Sequence, residues 1–124
     1  MEIILSNQSN EPIYQQIVSQ IKAMIIQGVL KTGDGMPSMR SLAKSLHVSV
    51  ITAQHAYEDL QRDGFIETVP GKGTFVAAQN KDFLKEEQLR IIEGKIEDVV
   101  TIAKTYDVNL DVIQKMLKMI YEEE

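Results

Sequence analysis

Apolar residues recur every three or four positions from Ile13, where Ile13, Ile17, Ile21, Met24 and Ile25 trace one face of a helix. Pro12 suits the first helical position of that element and Gly28 stops it. A second stripe, Leu42, Ala43 and Leu46, follows Ser38, a side chain suited to an N-cap, and ends near His47. A third begins after Ser49, where Ala53, Ala56, Tyr57 and Leu60 follow the i, i+3, i+4, i+7 spacing of a half-buried helix, with Gly64 as its stop. The pattern then changes period. Phe65–Val69 and Thr74–Ala77 are β-prone runs joined by Pro70-Gly71-Lys72-Gly73, a turn with two glycines able to take positive φ.

Two short helices across a tight turn, followed by a hairpin, predict a winged helix-turn-helix, with the earlier helix as its support. The support helix is expected to pack on Leu42, Leu46, Ala56, Leu60, Phe65, Ile66 and Phe75. Beyond the polar linker Ala78-Gln79-Asn80 the helical period returns, and Leu89, Ile92, Ile96, Val99, Ala103 and Tyr106 form a seam of heptad type. After Asp107-Val108-Asn109, a last helix carries Leu110, Ile113, Leu117 and Ile120 on one face, with Met116 beside them. The fold class is therefore α+β: a winged helix-turn-helix over residues 1–78 and a two-helix unit over residues 79–124. Two helices folded on each other cannot cover that much apolar surface, so Leu89 to Ile120 of the seam predict a homodimer.

Composition changes the picture in two places. The chain has no cysteine, which removes disulfides and thiolate metal sites and suits a reducing, cytoplasmic setting. No stretch approaches the length of an apolar membrane span, and Met1–Leu5 is too short and carries Glu2, so no signal peptide is expected there. The formal net charge of −5 runs against nucleic-acid binding. Its distribution resolves the conflict: residues 1–80 carry six Lys and Arg against seven acids, whereas residues 81–124 carry seven against eleven. The acidity is concentrated where DNA is not expected.

Ile13 to Ala77 resembles the GntR family of bacterial transcription regulators, through Gly33, Pro37-Ser38, Arg40, Leu42-Ala43, Val48-Ser49, Thr52, Tyr57, Leu60, Gly64-Phe65-Ile66 and Gly71-Lys72-Gly73-Thr74-Phe75-Val76. Pro12-Ile13-Tyr14-Gln15-Gln16-Ile17, Val48-Ser49-Val50-Ile51-Thr52 and the short remainder after the hairpin are similar to the YtrA-type subfamily, which has a small helical dimerisation unit. The resemblance implies a double-stranded DNA operator as partner, read as an inverted repeat by a homodimer, and relatives of this type often control transporter operons. It also implies roles for particular residues. Arg40 matches the family's P-S-x-R arginine, suited to a phosphate or a guanine edge, with a surface salt bridge as the alternative. Ser49 and Thr52 match positions where short hydroxyls and helix N–H groups meet a phosphate, and Ser49 is equally an N-cap.

The remaining candidates follow from residue chemistry. Gln54 can pair bidentately with adenine, Val50 can touch a thymine methyl, and His55 can donate to a base or phosphate or simply be solvated. Lys44 lies beside the DNA face. His47 stands at the turn, where positive φ is expected. Gly71 and Gly73 let the hairpin tip approach DNA while Lys72 neutralises a phosphate or stays solvated. Gly71-Lys72-Gly73-Thr74 is not a P-loop, because Gly73 separates the lysine from the threonine and a strand follows.

Three function classes compete: a sequence-specific regulator that represses by occluding a promoter, a winged helix used for protein docking without specific DNA binding, and an enzyme. The last lacks a nucleophile with an adjacent base, a metal-ligand cluster and a cofactor loop, so no catalytic residue, metal or cofactor is expected. A small-molecule effector is not legible in the sequence.

Overall fold

The computed structural model describes residues 1–123. Five helices and one hairpin follow in the order α1 (Ile13–Ile26), α2 (Met39–Leu46), α3 (Val50–Arg62), β1 (Ile66–Val69), β2 (Gly73–Val76), α4 (Lys81–Thr105) and α5 (Leu110–Glu123). The chain divides into two compact units after Lys81. The linker's first part stays with the hairpin, because the Gln79 amide donates to the carbonyls of Gly64 (3.1 Å) and Ala77 (2.7 Å).

In the first unit α3 is the central element, packed on α1, α2 and β1. Its buried face is Ala53, Ala56, Tyr57 and Leu60; α1 contributes Ile17, Val18, Ile21 and Ile25, and α2 contributes Leu42 and Ala43. Phe65, Ile66 and Val76 close the core from the hairpin. Leu46 and Phe75, expected in the core, are only half-buried. Ser38 caps α2 by accepting the Ser41 N–H at 3.1 Å, as its position in the sequence suggests. Pro12 differs from expectation: it is the N-cap of α1, in extended conformation at φ −57° and ψ 152°, and not its first helical residue. With no capping side chain there, the helix start relies on the Pro12 carbonyl, which accepts the Gln16 N–H at 3.1 Å.

The β1–β2 register pairs Ile66 with Val76 and Val69 with Gly73, so Gly73 lies in the strand while Phe65 and Ala77 lie just outside. Phe65 still accepts the Ala77 N–H at 3.0 Å. A short edge forms on the far side of β2, where Gly33 and Met36 donate to Val76 and Thr74 and the Val76 N–H returns to Asp34. That edge leads directly into Pro37 and α2. The Tyr57 hydroxyl fastens the junction by donating to the Pro37 carbonyl at 2.6 Å.

Residues ahead of α1 are held by two glutamines one turn apart. Gln20 exchanges both amide bonds with Ile4 (2.9 and 2.7 Å), and Gln16 exchanges both with Ser6 (2.8 Å each) and donates also to Glu11 at 3.0 Å. Each side chain thus pairs with backbone in the way a strand neighbour would. Gln16 is buried at 7% exposure.

The second unit is different in kind. Asp107, at φ 55°, turns the chain between α4 and α5, and the Val108 N–H closes on Ala103 at 2.8 Å. Ala103 is the buried residue of α4, and α5 has none among its described residues. Leu89, Ile92, Ile96, Val99, Tyr106, Leu110, Met116, Leu117 and Ile120 are exposed, and Ile113 is half-buried. Among the described residues no helix is long and apolar enough to cross a membrane.

Gln16→Leu should destabilise the protein by about 1–3 kcal/mol, because it leaves the Ser6 N–H and carbonyl without partners; urea denaturation checks this, and an unchanged midpoint contradicts it. Burial pushes the Tyr57 hydroxyl up from 10.0 to about 12. The folded state therefore keeps a proton that the unfolded chain releases, so the Tyr57 contribution is complete below pH 10 and is lost as the pH rises towards 12. Tyr57→Phe should weaken the protein at neutral pH by about 1 kcal/mol and flatten its alkaline unfolding limb, measurable as Tm against pH.

Candidate nucleic-acid interface

The turn between α2 and α3 sets the angle at which α3 presents its first residues. His47 adopts the left-handed conformation (φ 58°, ψ 42°), and the Val48 N–H reaches back to Ala43 at 3.0 Å. This is the helix stop that a glycine often supplies, here made by a residue without β-branching. Ser49 then caps α3, accepting the Thr52 N–H at 3.0 Å, with the two hydroxyls 2.8 Å apart. Ser49 is thus an N-cap whose exposed oxygen also faces solvent, and Val50, 45% exposed, follows it.

The exposed strip of α3 carries Ile51, Gln54, His55 and Glu58. Gln54 donates from Nε2 to a Glu58 carboxylate oxygen at 3.0 Å. A carboxylate only accepts, so the contact fixes which end of the amide faces Glu58 and leaves Oε1 and one N–H free for another partner. His55 is less available than its place in the sequence suggests. Its ring stacks on Tyr14 of α1 with centroids 3.7 Å apart and planes 12° from parallel, and Nε2 lies 3.9 Å from Asp59. One imidazole face is committed to holding α1 beside α3.

Charge is sorted by pairing as well as by position. At the far end of α3, Lys22 meets Asp63 at 2.9 Å and Arg62 meets Asp59 at 3.2 Å. The Lys22 hydrogen bond holds the Asp63 carboxyl below its ordinary value, assisted by Arg62. Lys22 also sits 5.1 Å from the centre of the Phe65 ring. By contrast, among the described residues Arg40, Lys44 and Lys72 are exposed and make no ion pair. Arg40 and Lys44 lie on α2, and Lys72 lies at the hairpin tip.

The tip is shaped by Gly71 at φ 76° and Gly73 at φ 116°, and the Lys72 N–H closes the turn on Val69 at 2.9 Å. Side chains at those glycines would be strained, so the tip stays narrow. Thr68 and Thr74 face each other across the hairpin, hydroxyls 3.3 Å apart. Sequence reasoning placed Arg40, Lys44, Ser49, Val50, Thr52, Gln54, Gly71, Lys72 and Gly73 on accessible turns and helix ends, and the structure has them there or at half-exposure. It missed Ile51 and Tyr14. Ile51 was detectable as an isoleucine off the Ala53–Leu60 stripe; the Tyr14 stack bridges distant parts of the sequence and left no local signal. Of the expected dimerisation residues, Ala103 is already buried within its own unit at 6% exposure, so it offers a partner no free surface. Among the described residues no group of three or more His, Asp or Glu is placed to hold a metal.

Comparison with known proteins places this geometry. The family described as bacterial regulatory proteins, gntR family, matches residues 13–76. The chain is 33% identical over 118 residues to the HTH-type transcriptional repressor YtrA of Bacillus subtilis (strain 168), covering 95% of this chain and 91% of that one. A transcriptional antiterminator from Listeria monocytogenes EGD-e has a similar structure, with a TM-score of 0.75 and 31% identity over 98% of this chain and 90% of that one. The DNA-binding domain of AraR, solved in complex with its operator ORR3, matches 62% of this chain and 93% of its own at a TM-score of 0.52 and 31% identity. The chain belongs to the GntR family, whose members are DNA-binding transcription regulators and not enzymes, and its resemblance along nearly its whole length is to the YtrA type.

Proposed function

We propose that this protein is a cytoplasmic transcriptional repressor that binds an inverted-repeat operator as a homodimer and occludes a promoter, with a transporter operon as its target class. The observation that carries the reading is the coincidence, on one unit, of a capped α3 N-terminus with an exposed outer strip and three cations, Arg40, Lys44 and Lys72, that make no ion pair among the described residues, while Asp59 and Asp63 at the other end of α3 are paired with Arg62 and Lys22. Arg40, Lys44 and Lys72 take phosphates; Ser49 and Thr52 bring hydroxyl and backbone groups to the same strand. Gln54 reads an adenine with the amide edge that Glu58 leaves free. Val50 and His55 sit at the margin of the contact, the latter through its exposed ring edge. Gly71 and Gly73 admit the tip close to the groove.

The second unit supports the dimer. Leu89, Ile92, Ile96 and Val99 on α4, and Leu110, Met116, Leu117 and Ile120 on α5, remain exposed within one chain, an apolar surface of the kind that a two-fold partner covers. Tyr106 of the same seam is exposed as well, and Ile113 is half-buried. Repression rests on likeness to YtrA, the repressor named above, and the transporter target on what the resemblance to the YtrA-type subfamily implies. A docking module without DNA specificity is disfavoured by the retained Arg40, Ser49, Thr52 and Lys72.

Selection from random duplexes followed by sequencing tests the proposal, and an enriched palindrome is the expected result; enrichment of no motif overturns it. Three phosphate contacts per protomer make log affinity fall with log salt at a slope of roughly five in magnitude for the dimer. Arg40→Ala should lower affinity on all sequences and reduce that slope by about two, whereas Gln54→Ala should change preference at one base pair per half-site by roughly 1–3 kcal/mol. An unchanged slope removes Arg40 from the phosphate contacts.

A further inference from the structure

Ile51 is 77% exposed in the first turn of α3 and lies outside the buried set of that helix. At 100° per residue it lies nearly opposite the buried face of Ala53, Ala56, Tyr57 and Leu60, in line with Gln54 and Glu58 at i+3 and i+7. A β-branched residue there has no helix-forming advantage, and its side chain contributes nothing to the core. Resting on the DNA-regulator reading above, we propose that Ile51 is a specificity-determining residue that reads the 5-methyl group of a thymine in the major groove.

Chemistry selects this target. The floor of the major groove is lined with hydrogen-bond donors and acceptors, and the thymine methyl is its apolar feature. An isoleucine has nothing to offer a phosphate, and it stands on the same strip as an amide suited to adenine. Three helical residues advance about 4.5 Å, more than the 3.4 Å between base pairs, so Ile51 and Gln54 on one strip can reach different pairs of one half-site. Val50 is a poorer candidate, because it lies nearer the buried face and is 45% exposed.

Deoxyuridine differs from thymidine at this edge by the methyl alone, which makes the test atomic. With the full-length protein and its selected operator, each thymine is replaced in turn by deoxyuridine in both half-sites and affinity is measured. One symmetric position should lose about four-fold per half-site, the worth of one buried methyl, or roughly fifteen-fold for the pair. Ile51→Ala, at an exposed helical position, should keep the wild-type Tm, bind the thymine operator more weakly, and no longer distinguish thymine from deoxyuridine there. A palindrome whose thymines all tolerate deoxyuridine overturns this inference while leaving the regulator reading intact. So does a methyl penalty that persists in Ile51→Ala. Selection of no motif overturns the regulator reading and this inference together.

Discussion

Burial of one face of α3 is the constraint on which the rest depends. Ala53, Ala56, Tyr57 and Leu60 are all buried, and α3 packs on α1, α2 and β1. Because that face is fully used, the opposite strip has no freedom: Ile51, Gln54 and Glu58 must point outward. Tyr57 adds direction to the packing, since its hydroxyl ties α3 to the Pro37 carbonyl where α2 begins. The Tyr14–His55 stack fixes the other side of the helix against α1. The recognition surface is therefore a consequence of the core.

An acidic chain can bind DNA if its charges are sorted, and here two mechanisms sort them. Along the sequence, the surplus of acids lies in the second unit. Within the first unit, ion pairs at the C-terminal end of α3 reduce Asp59 and Asp63 as sources of repulsion, whereas Arg40, Lys44 and Lys72, like Lys31, make no ion pair among the described residues. Glu58 is the remaining acid on the outer strip, and its bond to Gln54 gives it a positioning role for that amide. In the proposed complex a modest number of phosphate contacts would give weak non-specific binding, so base contacts and the pairing of half-sites would carry correspondingly more of the affinity.

Much of this architecture was legible because it is written locally. Ser38 and Ser49 announced helix starts, Gly64 and Gly28 announced stops, and the change of period at Phe65 announced the hairpin. The winged helix-turn-helix followed from those marks, and the family from the resemblance carried by the motif residues between Ile13 and Ala77. What escaped was determined by contacts between distant residues: the pairing of Gln16 and Gln20 with Ser6 and Ile4, the turning of His55 onto Tyr14, and the burial of Ala103 beside the Asp107 turn. Pro12 was misplaced by one position because an N-cap and a first helical residue both accept proline's φ, and only the local ψ separates them. Ile51 was present in the pattern as an apolar residue out of phase with its stripe, a signal whose meaning needs the surface to be seen.

Everything proposed for DNA recognition assumes two protomers held through α4 and α5. Sedimentation equilibrium of the full-length chain at micromolar concentration, alone and on a selected operator duplex, measures this directly. The account predicts a species of twice the 14.0 kDa chain mass in both conditions, with two chains per duplex. A single chain that stays monomeric alone and saturates the duplex at one copy would contradict it.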